Sequence, residues 1–190
     1  MSECIILLDG GYLTYISKFF GKGKPLKYKI EKFAVNLAKE KGFSVKEIHY
    51  YTAPPFQSSK TNEEENKRKA NYDRFIQKLK EVKPTIIVRE GRCQKIVNKN
   101  REEFTQKGVD TLLTMDLLKI AERKLANQII LLTSDTDFVP IIKDLQENYS
   151  IKVILAYFTD KRRKSAFSLS NHLWNICKDK ILIKKEHFEK

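Results

Sequence analysis

Cys4-Ile5-Ile6-Leu7-Leu8 has no polar residue at either parity and stops abruptly at Asp9-Gly10-Gly11. Side chains alternate between the faces of a strand, so a run like this is apolar on both faces and must be covered on both. That is the habit of a parallel sheet held between two layers of helices. The feature recurs along the chain. Phe43 to Thr52 is rich in Val, Ile and Tyr and closes at Pro54-Pro55, and Thr85-Ile86-Ile87-Val88 is a third run. Gln128 to Leu132 and Ile151 to Phe158 are the fourth and fifth, and Ile181-Leu182-Ile183 is a final edge strand.

Helical spacing fills the gaps: Tyr12 to Phe20, residues 29–41 up to Gly42, a charged amphipathic stretch over 61–83, and Val109 to Leu125. Another helix covers 137–148, with Pro140 in its first turn, where a missing N–H does no harm, and a short one precedes the edge strand. A hairpin through Ile96-Val97 leads into a polar loop at 98–107. Strands alternating with helices predict a three-layer α/β domain with a mainly parallel central sheet. One domain over 1–190 is expected, with its core at about 3–160 followed by a C-terminal helix and edge strand.

Composition narrows the function classes. The 190 residues contain no apolar run near the ~20 that a bilayer span needs, and residues 1–8 lack the basic start of a signal peptide, so no membrane partner is expected. Three scattered cysteines, Cys4, Cys93 and Cys177, make neither a disulfide framework nor a zinc spacing, and a reducing cytoplasm fits them. The 37 basic residues against 24 acidic ones leave a net charge of +13. An excess of this kind serves solubility or binds a polyanion such as nucleic acid.

Against that background the carboxylates stand out by position. In an open parallel sheet, ligands bind beyond the carboxyl ends of the strands. Asp9 ends the first run, and Asp135 and Asp137 follow the fourth. Val109, Leu112, Leu113, Asp116, Leu117 and Ile120 trace one buried helical face, with Asp116 inside the apolar stripe and Asp110 at its border. A buried carboxylate needs a cation or donors, which for Asp116 means a metal ion or a buried Lys or Arg. Asp9, Asp110, Asp116, Asp135 and Asp137 together would make an acidic pocket in a basic protein. All-oxygen ligands without His or Cys select a hard ion, Mg²⁺ or Mn²⁺. An acidic metal pocket inside a basic surface suits phosphodiester hydrolysis.

Three motifs also resemble a known family. Ile5-Ile6-Leu7-Leu8-Asp9-Gly10-Gly11-Tyr12-Leu13 is similar to the opening strand motif of the NYN domain, the LabA-like branch of the PIN-like nucleases. Lys107-Gly108-Val109-Asp110-Thr111-Leu112, with Asp116 beyond, resembles its K-G-V-D helix motif, and Thr133-Ser134-Asp135-Thr136-Asp137-Phe138-Val139-Pro140 its S-x-D-x-D-F-x-P motif. Order and spacing agree over about residues 3–160. The resemblance implies a PIN-like, Rossmann-like fold and a Mg²⁺- or Mn²⁺-dependent ribonuclease, expected to cut internally. Asp9, Asp110 and Asp135 match its central acidic positions, and Asp116 and Asp137 match accompanying ones, able to hold a second ion or to act behind the first. Tyr12 stands where many members carry Asn.

The same placement nominates contacts to RNA: Lys161-Arg162-Arg163-Lys164 after the fifth strand, Arg92 and Lys107 at the rim, and Ser134 beside a helix N-terminus. Tyr12 and Phe138 are candidates to stack a base, with core as the plainer reading of Phe138. His49, His172 and His187 fall near strand or chain ends and read as surface residues. Two other functions compete: a catalytically silent RNA-binding or scaffold protein of the same fold, and a small-molecule phosphatase. The second lacks the D-x-D expected after a first strand, since Asp9 is followed by Gly10-Gly11.

Overall fold

The computed structural model describes residues 2–98, 101–160 and 170–189. Its centre is a six-stranded sheet in the order β3-β2-β1-β6-β7-β8, every pairing parallel. The strands are β1 (Glu3–Asp9), β2 (Ser44–Thr52), β3 (Ile86–Glu90), β6 (Gln128–Leu132), β7 (Lys152–Tyr157) and β8 (Asp179–Leu182). Helices α1 (Gly10–Phe20), α2 (Ile30–Lys39) and α3 (Glu63–Lys80) alternate with the first strands. Helices α4 (Val109–Glu122), α5 (Val139–Asn148) and α6 (Asn171–Ile176) alternate with the later ones. Among the described residues no helix is long and apolar enough to cross a membrane.

The unbroken apolar run of β1 explains the layering. Cys4, Ile6 and Leu8 enter one core with Leu13 and Ile16 of α1 and Phe33 and Leu37 of α2, while Ile5 and Leu7 enter the other with Leu113 and Leu117 of α4 and Ile142 and Leu145 of α5. Every one of these side chains is excluded from solvent. Each fully buried aliphatic side chain contributes about 1.5–3 kcal/mol, so the central strand is secured from both sides.

Two elements differ from the sequence expectation. The polar stretch 98–107 is largely strand: β4 (Arg92–Asn98) and β5 (Arg101–Lys107) pair antiparallel as a separate two-stranded ribbon. The helix expected from 137 opens instead with a 3₁₀ turn, Thr136–Phe138, and α5 begins at Val139 with Pro140 in its first turn.

Candidate active site

Asp9 ends β1 and caps α1: its Oδ1 accepts the Gly11 N–H at 2.8 Å and the Tyr12 N–H at 3.1 Å. Among the described residues Oδ2 accepts no hydrogen bond. The corner is tight because Gly10 has no Cβ. A Cβ there would lie 2.7 Å from both the Tyr50 hydroxyl and the Tyr51 carbonyl oxygen. The close approach sets the buried Tyr50 phenol beside the carboxylate, and burial together with Asp9 pushes the phenol up to about 12.

Asp135 follows β6, the neighbour of β1 in the sheet, and Asp110 lies in the first turn of α4, where a negative charge suits the helix dipole. Asp135 caps the 3₁₀ turn, its Oδ1 accepting the Asp137 N–H at 2.9 Å while the Thr133 hydroxyl accepts its own N–H at 3.1 Å. The three carboxylates press on one another. Burial raises the Asp9 pKa, its two backbone N–H bonds work against the rise, and the charges of Asp110 and Asp135 add to it. Partial desolvation raises Asp110, with Asp135 and Asp137 adding to the rise. Asp137 is exposed on the turn. The structure thus brings Asp9, Asp110, Asp135 and Asp137 into one electrostatic neighbourhood.

Asp116 is elsewhere, which corrects its expected place among the metal ligands. Its side chain is 3 % exposed and held by Arg89, Nε to Oδ2 at 2.7 Å and Nη2 to Oδ1 at 2.6 Å. The Tyr51 hydroxyl donates to Oδ2 at 3.0 Å, and His49 Nδ1 lies 3.4 Å from the same oxygen. Burial would raise this carboxyl, but bonds from His49, Arg89 and Tyr51 outweigh it and hold the pKa well below the usual range. The pairing follows from strand register. Arg89 lies opposite Tyr51 across β3 and β2, with His49 one step earlier on the same face, under α4. Both oxygens are committed to protein donors.

Tyr12 is also reassigned. It is 1 % exposed, and its hydroxyl accepts the Phe158 N–H at 3.2 Å, so its ring is core and offers no face to a base. Phe138 is core as well. His49 and His187 are buried, not superficial: His49 Nε2 lies 2.9 Å from Glu47 Oε1, and His187 Nε2 lies 2.9 Å from Glu40 Oε1. Ser134 is half-buried beside Asp135. Lys161, Arg162, Arg163 and Lys164 lie outside the described residues. Arg92 and Lys107 are brought together, directly opposite each other at the base of the ribbon, on an open groove of about 540 Å³ that runs past Gly108 and Thr111. Glu90, at the same groove, is taken by the Tyr72 hydroxyl at 2.8 Å.

The model of the NYN domain family matches residues 4–177. The chain belongs to the NYN domain family. Its fold is the PIN-like α/β fold, and the family is nuclease-like. A crystal structure of VPA0982, a Vibrio parahaemolyticus protein of unknown function, superposes with a TM-score of 0.59 at 16 % identity, over 98 % of this chain and 95 % of that one. At that identity the likeness speaks for the fold. No curated protein matches the chain significantly.

Two residues of this NYN domain site escape a linear reading. Tyr50 is found only through the Gly10 approach. For Arg89 the sequence holds only a general signal: Asp116 in its apolar stripe needs a base, without saying which one.

Proposed function

We propose that this NYN domain is a Mg²⁺- or Mn²⁺-dependent ribonuclease. The observation that carries the reading is the mutual pressure of Asp9, Asp110 and Asp135 at the carboxyl edge of the sheet, beside a groove bearing Arg92 and Lys107. Burial raises the pKa of Asp9 and Asp110 and neighbouring carboxylate charges add to the rise, a stress that a cation relieves, and an all-oxygen donor set fits a hard one. Among the described residues no three acidic, His or Cys side chains already form a closed metal cage, so ligation requires these side chains to draw together. Asp110 is exposed and has the freedom to do so.

Asp9, Asp110 and Asp135 would hold the ion, with Asp137 at the rim. Bound there, the ion supplies the Lewis acidity that phosphodiester hydrolysis requires. The rest falls to the chain. Asp9 Oδ1 is pinned by α1, which fixes the direction of Oδ2. Tyr50 stays protonated at neutral pH and is a hydrogen-bond donor beside that carboxylate. Arg92 and Lys107 hold backbone phosphates, and Ser134 offers a hydroxyl next to Asp135. The assignment of RNA as the substrate rests on the family motifs together with the +13 charge.

The test is cleavage of an end-labelled single-stranded RNA with Mn²⁺, with Mg²⁺ and with EDTA. Cleavage should need the ion and fall at least about a hundred-fold in Asp135→Asn, while RNA binding persists. Binding without cleavage in any ion would instead favour a silent RNA-binding protein. Hydrolysis of p-nitrophenyl phosphate with RNA left intact would favour a phosphatase.

A further inference from the structure

The ribbon of β4 and β5 contributes to neither apolar layer. A two-stranded ribbon is marginal in water by itself, so its attachments matter. At its base the Gly91 N–H donates to the Thr52 carbonyl oxygen at 2.9 Å. A Cβ on Gly91 would meet the Lys107 carbonyl oxygen at 2.5 Å and Val109 Cγ2 at 2.8 Å, so the ribbon presses directly on the start of α4. Lys107 is three residues before Asp110. A ligand held at the base of the ribbon, by Lys107, therefore lies one helical turn from Asp110.

Its two faces differ. Phe104 lies opposite Lys95 and Val97 opposite Glu102, all on one face. Val97 is 64 % exposed and Phe104 54 %, the two most exposed large apolar side chains among the described residues. Phe56, from the loop after β2, sets its ring 5.6 Å from that of Phe104. On the other face Arg92 stands against Lys107, a like-charge pair that destabilises a ribbon unless an anion joins it. The two features are three residues apart along the strand, about 10 Å. Residues 92–107 carry Arg92, Lys95, Lys99, Arg101 and Lys107 against Glu102 and Glu103.

We propose that the ribbon is a substrate arm for unpaired RNA. A base stacks on the Phe104 ring beside Phe56, and the strand passes round the edge of the ribbon so that Arg92 and Lys107, on its other face, hold the backbone ahead of Asp110. This rests on the ribonuclease reading and adds to it a preference for single strands. Bases in a duplex are already stacked on each other and have no free face for Phe104. Lys95 is paired with Glu102 at 2.6 Å, but Arg92 and Lys107 have no acidic partner among the described residues, and that pair fits a polyanion better than an apolar protein surface.

The experiment is fluorescence anisotropy of a labelled unstructured RNA, alone and annealed to its complement, with the full chain in EDTA so that nothing is cut. Phe104→Ala should weaken single-strand binding about five- to a hundred-fold, the range for loss of one base stack, with little effect on duplex. Phe104→Tyr keeps the ring and should keep the affinity, whereas Phe104→Leu keeps apolar area without a π face and should not. The Arg92→Ala, Lys107→Ala double variant should weaken both RNAs and flatten the salt dependence. Circular dichroism guards against misfolding, and the rescue by Tyr separates stacking from a structural loss. Unchanged single-strand affinity in Phe104→Ala overturns the arm while leaving the ribonuclease reading intact. A wild-type dimer that Phe104→Ala makes monomeric, with RNA binding unaltered, overturns it in favour of an interface between copies. A wild type that binds neither RNA at low salt sinks both readings.

Discussion

Replacing Arg89 by Met removes the two guanidinium bonds to Asp116, at 2.7 and 2.6 Å, and leaves a carboxylate that is 3 % exposed. Breaking a buried pair from one side costs about 3–5 kcal/mol. Two features reduce that here. Arg89 itself is 34 % exposed, and the Tyr51 hydroxyl at 3.0 Å and His49 Nδ1 at 3.4 Å remain near Asp116. A loss of about 2–3 kcal/mol is the working figure, and at ~2–4 °C per kcal/mol for a chain of this size Tm should fall by roughly 4–12 °C. Thermal unfolding followed by circular dichroism measures it. Adding Asp116→Leu should recover most of the loss, since an apolar pair of similar volume is commonly neutral or better. Acid supplies a second check. Arg89 helps hold the Asp116 pKa low, so the wild type keeps this contribution above the ordinary carboxylate range and loses it only as pH falls through the depressed value. In Arg89→Met the carboxyl protonates earlier, so the deficit against wild type should narrow as pH falls toward about 4. A Tm within about 1 °C of wild type, or a double variant less stable than Arg89→Met alone, would refute the reasoning.

Asp9 and Asp110 carry the opposite sign. Their raised values mean that the ionised forms destabilise the fold at neutral pH, a penalty relieved as pH falls through those values. Asp9→Asn, whose amide oxygen still caps α1, should therefore melt higher than wild type at pH 7 in EDTA, with the gap closing toward pH 4; a variant that melts lower at pH 7 contradicts the repulsion. Divalent ions should raise the wild-type Tm, by about 5–11 °C at a hundred times Kd, and leave Asp9→Asn nearly unmoved in the same melting scan. Tyr12→Phe removes only the hydroxyl that accepts the Phe158 N–H, so it should cost about 1–3 kcal/mol in denaturant unfolding and leave RNA affinity unchanged.

What could be read along the chain follows from what is local. An apolar run without alternation demands cover on both faces, so β1, β6 and β7 and their flanking helices were visible from residue order alone. Asp9, Asp110 and Asp135 were visible because each sits where an element begins or ends. Three things were hidden because they depend on distant segments. The partner of Asp116 is set by the register of β2 against β3 and by the path of α4 over both, so Arg89 could be required as a type but not picked out. Tyr12 looked like a stacking ring because it neighbours Asp9, yet it shares the inward face of α1 with Leu13 and Ile16. The second strand of the ribbon looked like loop because β5 lies off the core, where no buried face imposes a period of two on its side chains.

The arrangement that remains is a pair of opposite electrostatic stresses set side by side. At the carboxyl edge of the sheet, burial raises the pKa of Asp9 and Asp110 and the charge of Asp135 adds to both, and a few residues away Arg92 faces Lys107 across the ribbon. Folding alone favours neither, since each like-charge contact subtracts from a net stability of only about 5–15 kcal/mol. One neutral alternative would be to let the acids and bases pair with each other. The fold prevents it: Asp9 is turned inward as the cap of α1, and Arg92 and Lys107 open onto the groove past Gly108. Under the proposed reading, a hard cation relieves the first stress and a phosphodiester the second, and the bond between two nucleotides is a ligand that brings the two needs together. The coupling is measurable. RNA affinity of Asp135→Asn, titrated with and without Mn²⁺, should lose most of the ion dependence seen in wild type, and equal ion dependence in both proteins would show that the two stresses are independent.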